Sequence, residues 1–139
     1  MPWGEAIEYE PSRPTYGIRI ASFNHRGDFR KYPLRHYRSF KQVFEYVFDD
    51  INPNSKPLRD EILFDNGLAE KIINDFDENR EGCEVLLVHC MAGKNRSPSV
   101  AIALNELFDL GHNTFELKER YPEFNRYVYE EMRKAGRNY

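Results

Sequence analysis

An apolar run, Val85-Leu86-Leu87-Val88, passes directly into His89-Cys90-Met91-Ala92-Gly93-Lys94-Asn95-Arg96-Ser97, and apolar side chains then recur at helical spacing from Ser97 to Leu110. A short uninterrupted run of valine and leucine reads as a buried strand. The stripe of Val100, Ala103, Leu104, Leu107 and Phe108 reads as one face of a helix, with Gly111 as its C-cap. A strand that becomes a helix through a tight polar loop restricts the fold more than any other feature of the chain. It calls for an α/β arrangement with the loop at a strand's carboxyl end, the edge where such folds bind ligands.

The loop carries its own chemistry. An anion bound there would meet the backbone N–H groups of Met91, Ala92, Gly93, Lys94, Asn95 and Arg96, which wrap it as a nest ending at the positive pole of the following helix. Gly93 lets the chain turn that tightly. Arg96 adds a planar fork of donors that matches two phosphoryl oxygens at once, which the point charge of a lysine does not. The same field acts on Cys90 and should favour its thiolate below the ordinary thiol pKa of about 8.5. Attack of that sulfur on phosphorus gives a phosphocysteine, with the loop donors and Arg96 stabilising the equatorial oxygens. Ser97 is placed to hydrogen-bond the sulfur as it leaves. No metal or cofactor is needed for these steps. The plainer alternative for Cys90 is an inert buried thiol at the end of a core strand.

The rest of the chain reads as one domain spanning residues 1–139, with no repeat, linker or low-complexity tract. Residues 16 to 23 alternate as a half-buried strand does, and a second strand ends at Phe48 before a loop signal, Asn52 to Pro57. Leu68, Ala69, Ile72, Ile73 and Phe76 predict a helix closed by Gly82, with Asn66-Gly67 interrupting its first part. Phe115 and Leu117 suggest a short helix stopping at Tyr121-Pro122, and Phe124, Val128 and Met132 mark a last helix. A further strand is expected from Ala6 to Tyr9.

His89 to Ser97 match the HCxxGxxRS signature of cysteine-dependent protein tyrosine phosphatases, and VHCMAGKNRSPSVAIALNE resembles most the compact dual-specificity branch. The resemblance is strongest over residues 85 to 106 and extends over residues 16 to 135, including Phe64 to Phe76 and Tyr121 to Val128. It implies a single-domain α/β fold, a central sheet flanked by helices, and hydrolysis of phosphomonoesters through a phosphocysteine. It also implies an aspartic acid on a separate loop, which protonates the leaving oxygen and then activates water. Phe44 to Ile51 fit that position. Asp50, two places past Phe48, is the favoured acid and Asp49 the alternative; Asp60 reads instead as the opening of the next helix, where a carboxylate complements the dipole. Lys94, read at the pocket floor, is similar to the branch acting on phosphoinositides. That branch carries a second basic residue after the cysteine, where this chain has Met91.

With 40% hydrophobic and 14% aromatic residues the chain is globular, and no apolar run is long enough to span a bilayer. The N-terminal residues lack a signal-peptide pattern, so a cytoplasmic enzyme is the expectation. Cys83 and Cys90 stand seven positions apart. Along a strand that is about 23 Å, whereas a disulfide requires Cα atoms within about 7 Å. Both thiols are expected reduced, with Cys83 a resolving thiol only if the chain turns back near Gly82.

A net charge of −3 gives no general attraction to nucleic acid or anionic membrane. Residues 25 to 41 nevertheless interleave His25, Arg26, Arg30, Lys31, Arg35, His36, Arg38 and Lys41 with Phe29, Tyr32, Tyr37 and Phe40. This segment is expected to edge the active-site mouth and raise the potential for an anionic substrate. Nucleic acid is not the expected partner. The expected partner is a phosphorylated protein or a small phosphomonoester, taken up by a monomer; phosphoinositides, inositol polyphosphates or an RNA 5′ end are alternatives, as is a phosphate-binding module without turnover.

Overall fold

The computed structural model describes residues 1–55 and 60–137. Helix α1 (Trp3–Glu8) leads to strand β1 (Thr15–Ala21), then helix α2 (Asp28–Lys31) between 3-10 turns at Phe23–His25 and Tyr37–Ser39, and strand β2 (Gln42–Val47). Helix α3 (Asn66–Asn79), strand β3 (Val85–His89) and helices α4 (Arg96–Phe108), α5 (Thr114–Arg120) and α6 (Arg126–Arg137) complete the order. The strands form one parallel sheet in the order β2-β1-β3, with Ile18 opposite both Phe44 and Val88. Parallel pairing puts every strand's carboxyl end on one edge. Ser22, Phe48 and Cys90 follow the three strands there.

β1 differs from its half-buried expectation: all seven of its residues are buried. It is the middle strand, and both faces are covered. Tyr16, Ile18 and Ile20 enter the main core with Tyr46, Val88, Ile72, Leu104 and Met132. On the other face Ala6, Leu34, Phe40 and Leu87 form a second, smaller core. Each large side chain buried in this way contributes about 1.5–3 kcal/mol. Aromatic edges knit the main core, Tyr16 against Phe76 at 4.9 Å and Phe48 against Phe64 at 4.7 Å.

Arg19 is the exception on the second face, a cation only 2% exposed. Its Nε donates to His89 Nε2 at 3.0 Å, and its Nη atoms donate to the carbonyls of Phe29 and Tyr32. Trp3 lies 4.9 Å beneath the guanidinium and Glu45 is 3.6 Å away. The buried charge is thereby satisfied on every side and fastens the α2 segment to the sheet. Burial, the Arg19 charge and the nearby α-amino group push the His89 imidazole down to about 3.

Several sequence expectations are corrected. Ala6 to Tyr9 is not a strand; residues 6 to 8 belong to α1, which buries Trp3 and Ala6. The sheet contact of the N-terminus is instead a parallel bridge of Pro2 with Cys90. Asn66-Gly67 does not interrupt α3 but begins it, because the Asp65 carboxylate caps it by accepting the Leu68 N–H at 2.8 Å. Asp60 lies in a turn outside that helix. α3 ends at Asn79 rather than at Gly82, which takes φ +80° in the turn to β3. α4 is capped by Asp109 in the left-handed region, φ 49°, with Gly111 two residues beyond. Within the expected Asn52 to Pro57 loop, Ser55 N–H donates to the Asn52 carbonyl; Pro57 lies outside the described residues. The short helix at Phe115 and Leu117 is α5, and the last is α6. Among the described residues no helix is long and apolar enough to cross a membrane.

Candidate active site

The loop between β3 and α4 wraps around the sulfur of Cys90, which is 2% exposed. Gly93 N–H donates to Sγ at 3.3 Å, and Sγ lies 3.3 Å from Ser97 Oγ. In the thiol form S–H donates to that hydroxyl; once the sulfur is ionised the same contact reverses. Burial by itself would raise the thiol's pKa. The Ser97 hydroxyl, the Ser97 and Gly93 N–H groups and the Arg96 guanidinium together outweigh it and hold the thiol below its ordinary value. Gly93 takes φ +72°, and a Cβ there would stand 2.6 Å from Met1 C and Pro2 N. The first residues pair with this end of β3, Cys90 N–H to the Met1 carbonyl and Trp3 N–H to the Met91 carbonyl.

Arg96 is buried and joins the three strand ends. Its Nη1 donates to the Phe48 carbonyl and to Ser22 Oγ, each at 2.9 Å. Among the described residues Nε and Nη2 have no hydrogen-bond partner, so one edge of the fork is open to an anion. Met91, Ala92 and Lys94 are exposed. Asn95 turns its side chain away from the loop, its amide donating to the Glu123 carbonyl at 2.7 Å.

The two adjacent carboxylates have different surroundings. Asp49 is buried, and its Oδ2 accepts the Ile62 N–H at 2.7 Å and the Phe23 N–H at 3.4 Å, while its own N–H donates to the Ile62 carbonyl. It ties the end of β2 to Phe23 and Ile62. Asp50 is exposed, its Oδ1 accepting the Asn125 amide at 2.9 Å. Asp50 is therefore open to solvent where Asp49 is enclosed.

No family model matches the chain, and no curated protein matches it. The crystal structure of Tk-PTP in the active form is similar over 96% of this chain and 88% of that one, with a TM-score of 0.54 at 19% identity. The chain has the protein tyrosine phosphatase fold. At that identity the likeness is one of backbone layout.

On this phosphatase fold the expected residues fall into two groups. Cys90, Gly93, Arg96 and Ser97 converge, and Asp50 lies two residues past Phe48, whose carbonyl accepts from Arg96. Lys94 is not at the pocket floor; it is exposed, since the buried inner positions go to Gly93 and Arg96. Both cysteines are free. Cys83 precedes β3 and Cys90 follows it, so the whole strand lies between them, whereas a disulfide requires Cα atoms within about 7 Å. Burial raises the Cys83 thiol, with Lys41 partly countering it. In the 25–41 segment Phe40 is buried and Phe29 half-buried, whereas Tyr32 and Tyr37 are exposed. In this segment Arg35 pairs with Glu8, and His25 Nδ1 lies 3.5 Å from Asp28 Oδ2.

Sequence reasoning passed over Ser22 and read Asn125 only as part of the start of the last helix. Nothing local marks Ser22, which gains its place only because β1 and β3 are neighbours. Asn125 did carry a signal, since an asparagine just ahead of an amphipathic run is an N-cap pattern.

Proposed function

We propose that the protein hydrolyses phosphomonoesters as a protein tyrosine or dual-specificity phosphatase, acting on phosphotyrosine and also on phosphoserine and phosphothreonine. One observation carries this reading: a thiol held below its ordinary pKa by Ser97, Gly93 and Arg96 within a single anion-binding loop. Cys90 thiolate attacks phosphorus and the P–O ester bond breaks, the leaving oxygen taking a proton from Asp50. Asp50 then removes a proton from water, which attacks phosphorus; the S–P bond breaks and the Ser97 hydroxyl hydrogen-bonds the departing sulfur. The loop amides of residues 91 to 96 and the open edge of Arg96 hold the equatorial oxygens in both steps. A reactive thiol requires a reducing compartment, and the cytoplasm is the proposed setting.

A phosphoinositide, an inositol polyphosphate or an RNA 5′ end would undergo the same chemistry, and the exposed cation Lys94 favours including them in a substrate panel. The test of the reading is hydrolysis of an aryl phosphate by the purified protein in reductant without added metal. Turnover by the wild type, its loss in Cys90→Ser and retained phosphopeptide binding by that variant are expected. Tight phosphopeptide binding by a wild type that releases no phosphate would replace the enzyme with a binding module.

A further inference from the structure

Asn125 joins the two loops on which the proposed chemistry depends. Its side-chain nitrogen donates to Asp50 Oδ1 at 2.9 Å and to the Ile51 carbonyl at 3.2 Å, using both of its protons. Its side-chain oxygen accepts the Val128 N–H at 3.1 Å, the capping bond of α6. That bond fixes which way the amide faces, because a flipped amide would set donor against donor. The backbone is equally engaged: Asn125 N–H donates to the Asn95 carbonyl, and its carbonyl accepts from Ser99 Oγ at 2.9 Å. Asn95 is the last residue before α4. One residue thus references the Asp50 loop directly to the end of the anion-binding loop and to α6.

We propose that Asn125 is a positioning residue for the acid step, holding one oxygen of Asp50 and leaving the other to carry the proton. This rests on the reading of Asp50 as the acid. Asp49 is fastened to Phe23 and Ile62, but without Asn125 the exposed Asp50 carboxylate would be free to rotate in solvent. An acid displaced by an ångström loses much of its effect, since proton transfer requires hydrogen-bond reach of the leaving oxygen.

The test separates positioning from capping. Asn125→Asp keeps a capping oxygen for Val128 N–H but removes the donor to Asp50 and sets a like charge against it. Asn125→Ser does the same without added charge and serves if the aspartate variant does not fold. Both are compared with wild type on a series of aryl phosphates, from an electron-poor ester to phenyl phosphate, whose leaving group most needs the proton. We expect kcat/KM on phenyl phosphate to fall about 10- to 100-fold and on the electron-poor ester by less than about 3-fold, with melting temperatures near wild type. Adding either change to Asp50→Asn should cause no further loss. An equal loss across the series would make Asn125 a structural tie and overturn the proposal. An active wild type with variants of unchanged slope overturns this inference alone, whereas a wild type inert on every ester overturns the enzyme reading with it.

Discussion

The adjacent carboxylates Asp49 and Asp50 show how much one position along the chain decides. Both follow the same strand and are chemically identical in sequence, yet successive side chains of an extended segment point to opposite sides. Asp49 turns inward and spends its oxygen on two backbone N–H groups; Asp50 turns outward and meets an amide. Their substitutions should separate. Asp50→Asn is expected to lower kcat on phenyl phosphate by about 10²- to 10⁴-fold with unchanged melting. Asp49→Ala should cost about 1–3 kcal/mol in urea unfolding, because buried N–H groups lose their acceptor. Lost stability on replacing Asp50 and lost turnover on replacing Asp49 would reverse the assignment. The Cys90 environment was largely legible in sequence because Gly93, Arg96 and Ser97, which lower its pKa, lie within the next seven residues. The difference between the two carboxylates was not, because Asp49 is enclosed by Phe23 and Ile62 while Asp50 meets Asn125, all remote along the chain.

Among the elements, the strand-loop-helix unit is self-contained: strand composition, Gly93 and the helical stripe fix β3, the turn and α4 together. What the sequence missed is that the loop is also packed from outside. The first residues run along the free side of β3's end and press on Gly93, so this glycine serves both a positive φ and a close approach. Gly93→Ala should therefore displace the Met1-Pro2 segment as well as strain the turn. A clear loss of oxyanion affinity is expected, measured by inhibition of aryl phosphate hydrolysis with inorganic phosphate; an unchanged inhibition constant would refute the packing argument. The N-terminal segment Ala6 to Tyr9, expected as a strand, is too short for local pattern to separate strand from helix. Trp3 decides otherwise, docking α1 against His89 at 4.8 Å between ring centroids.

For the whole molecule, the buried pair His89 and Arg19 on neighbouring strands, with the exposed Glu45 beyond them, predicts a dependence of stability on pH. His89 titrates near 3 when folded and near 6.5 when unfolded. Between those values the unfolded chain binds a proton that the folded chain refuses, so stability is full above about pH 6.5 and falls as pH drops toward 3. The loss from this residue is up to about 5 kcal/mol. Urea midpoints measured from pH 7 to 4.5 should fall steeply in wild type and less steeply in His89→Gln; equal slopes would show that other groups carry the acid sensitivity. The sequence by itself determined the α/β class, the helices α3 to α6 and the clustering of nucleophile, glycine and arginine, because each is written in spacing shorter than about two helical turns. Only the tertiary structure decided that β1 is the covered middle strand, that an arginine could be buried in it, and which carboxylate meets solvent. Those outcomes depend on strand order and on contacts between residues far apart in the chain, and local pattern carries no information about either.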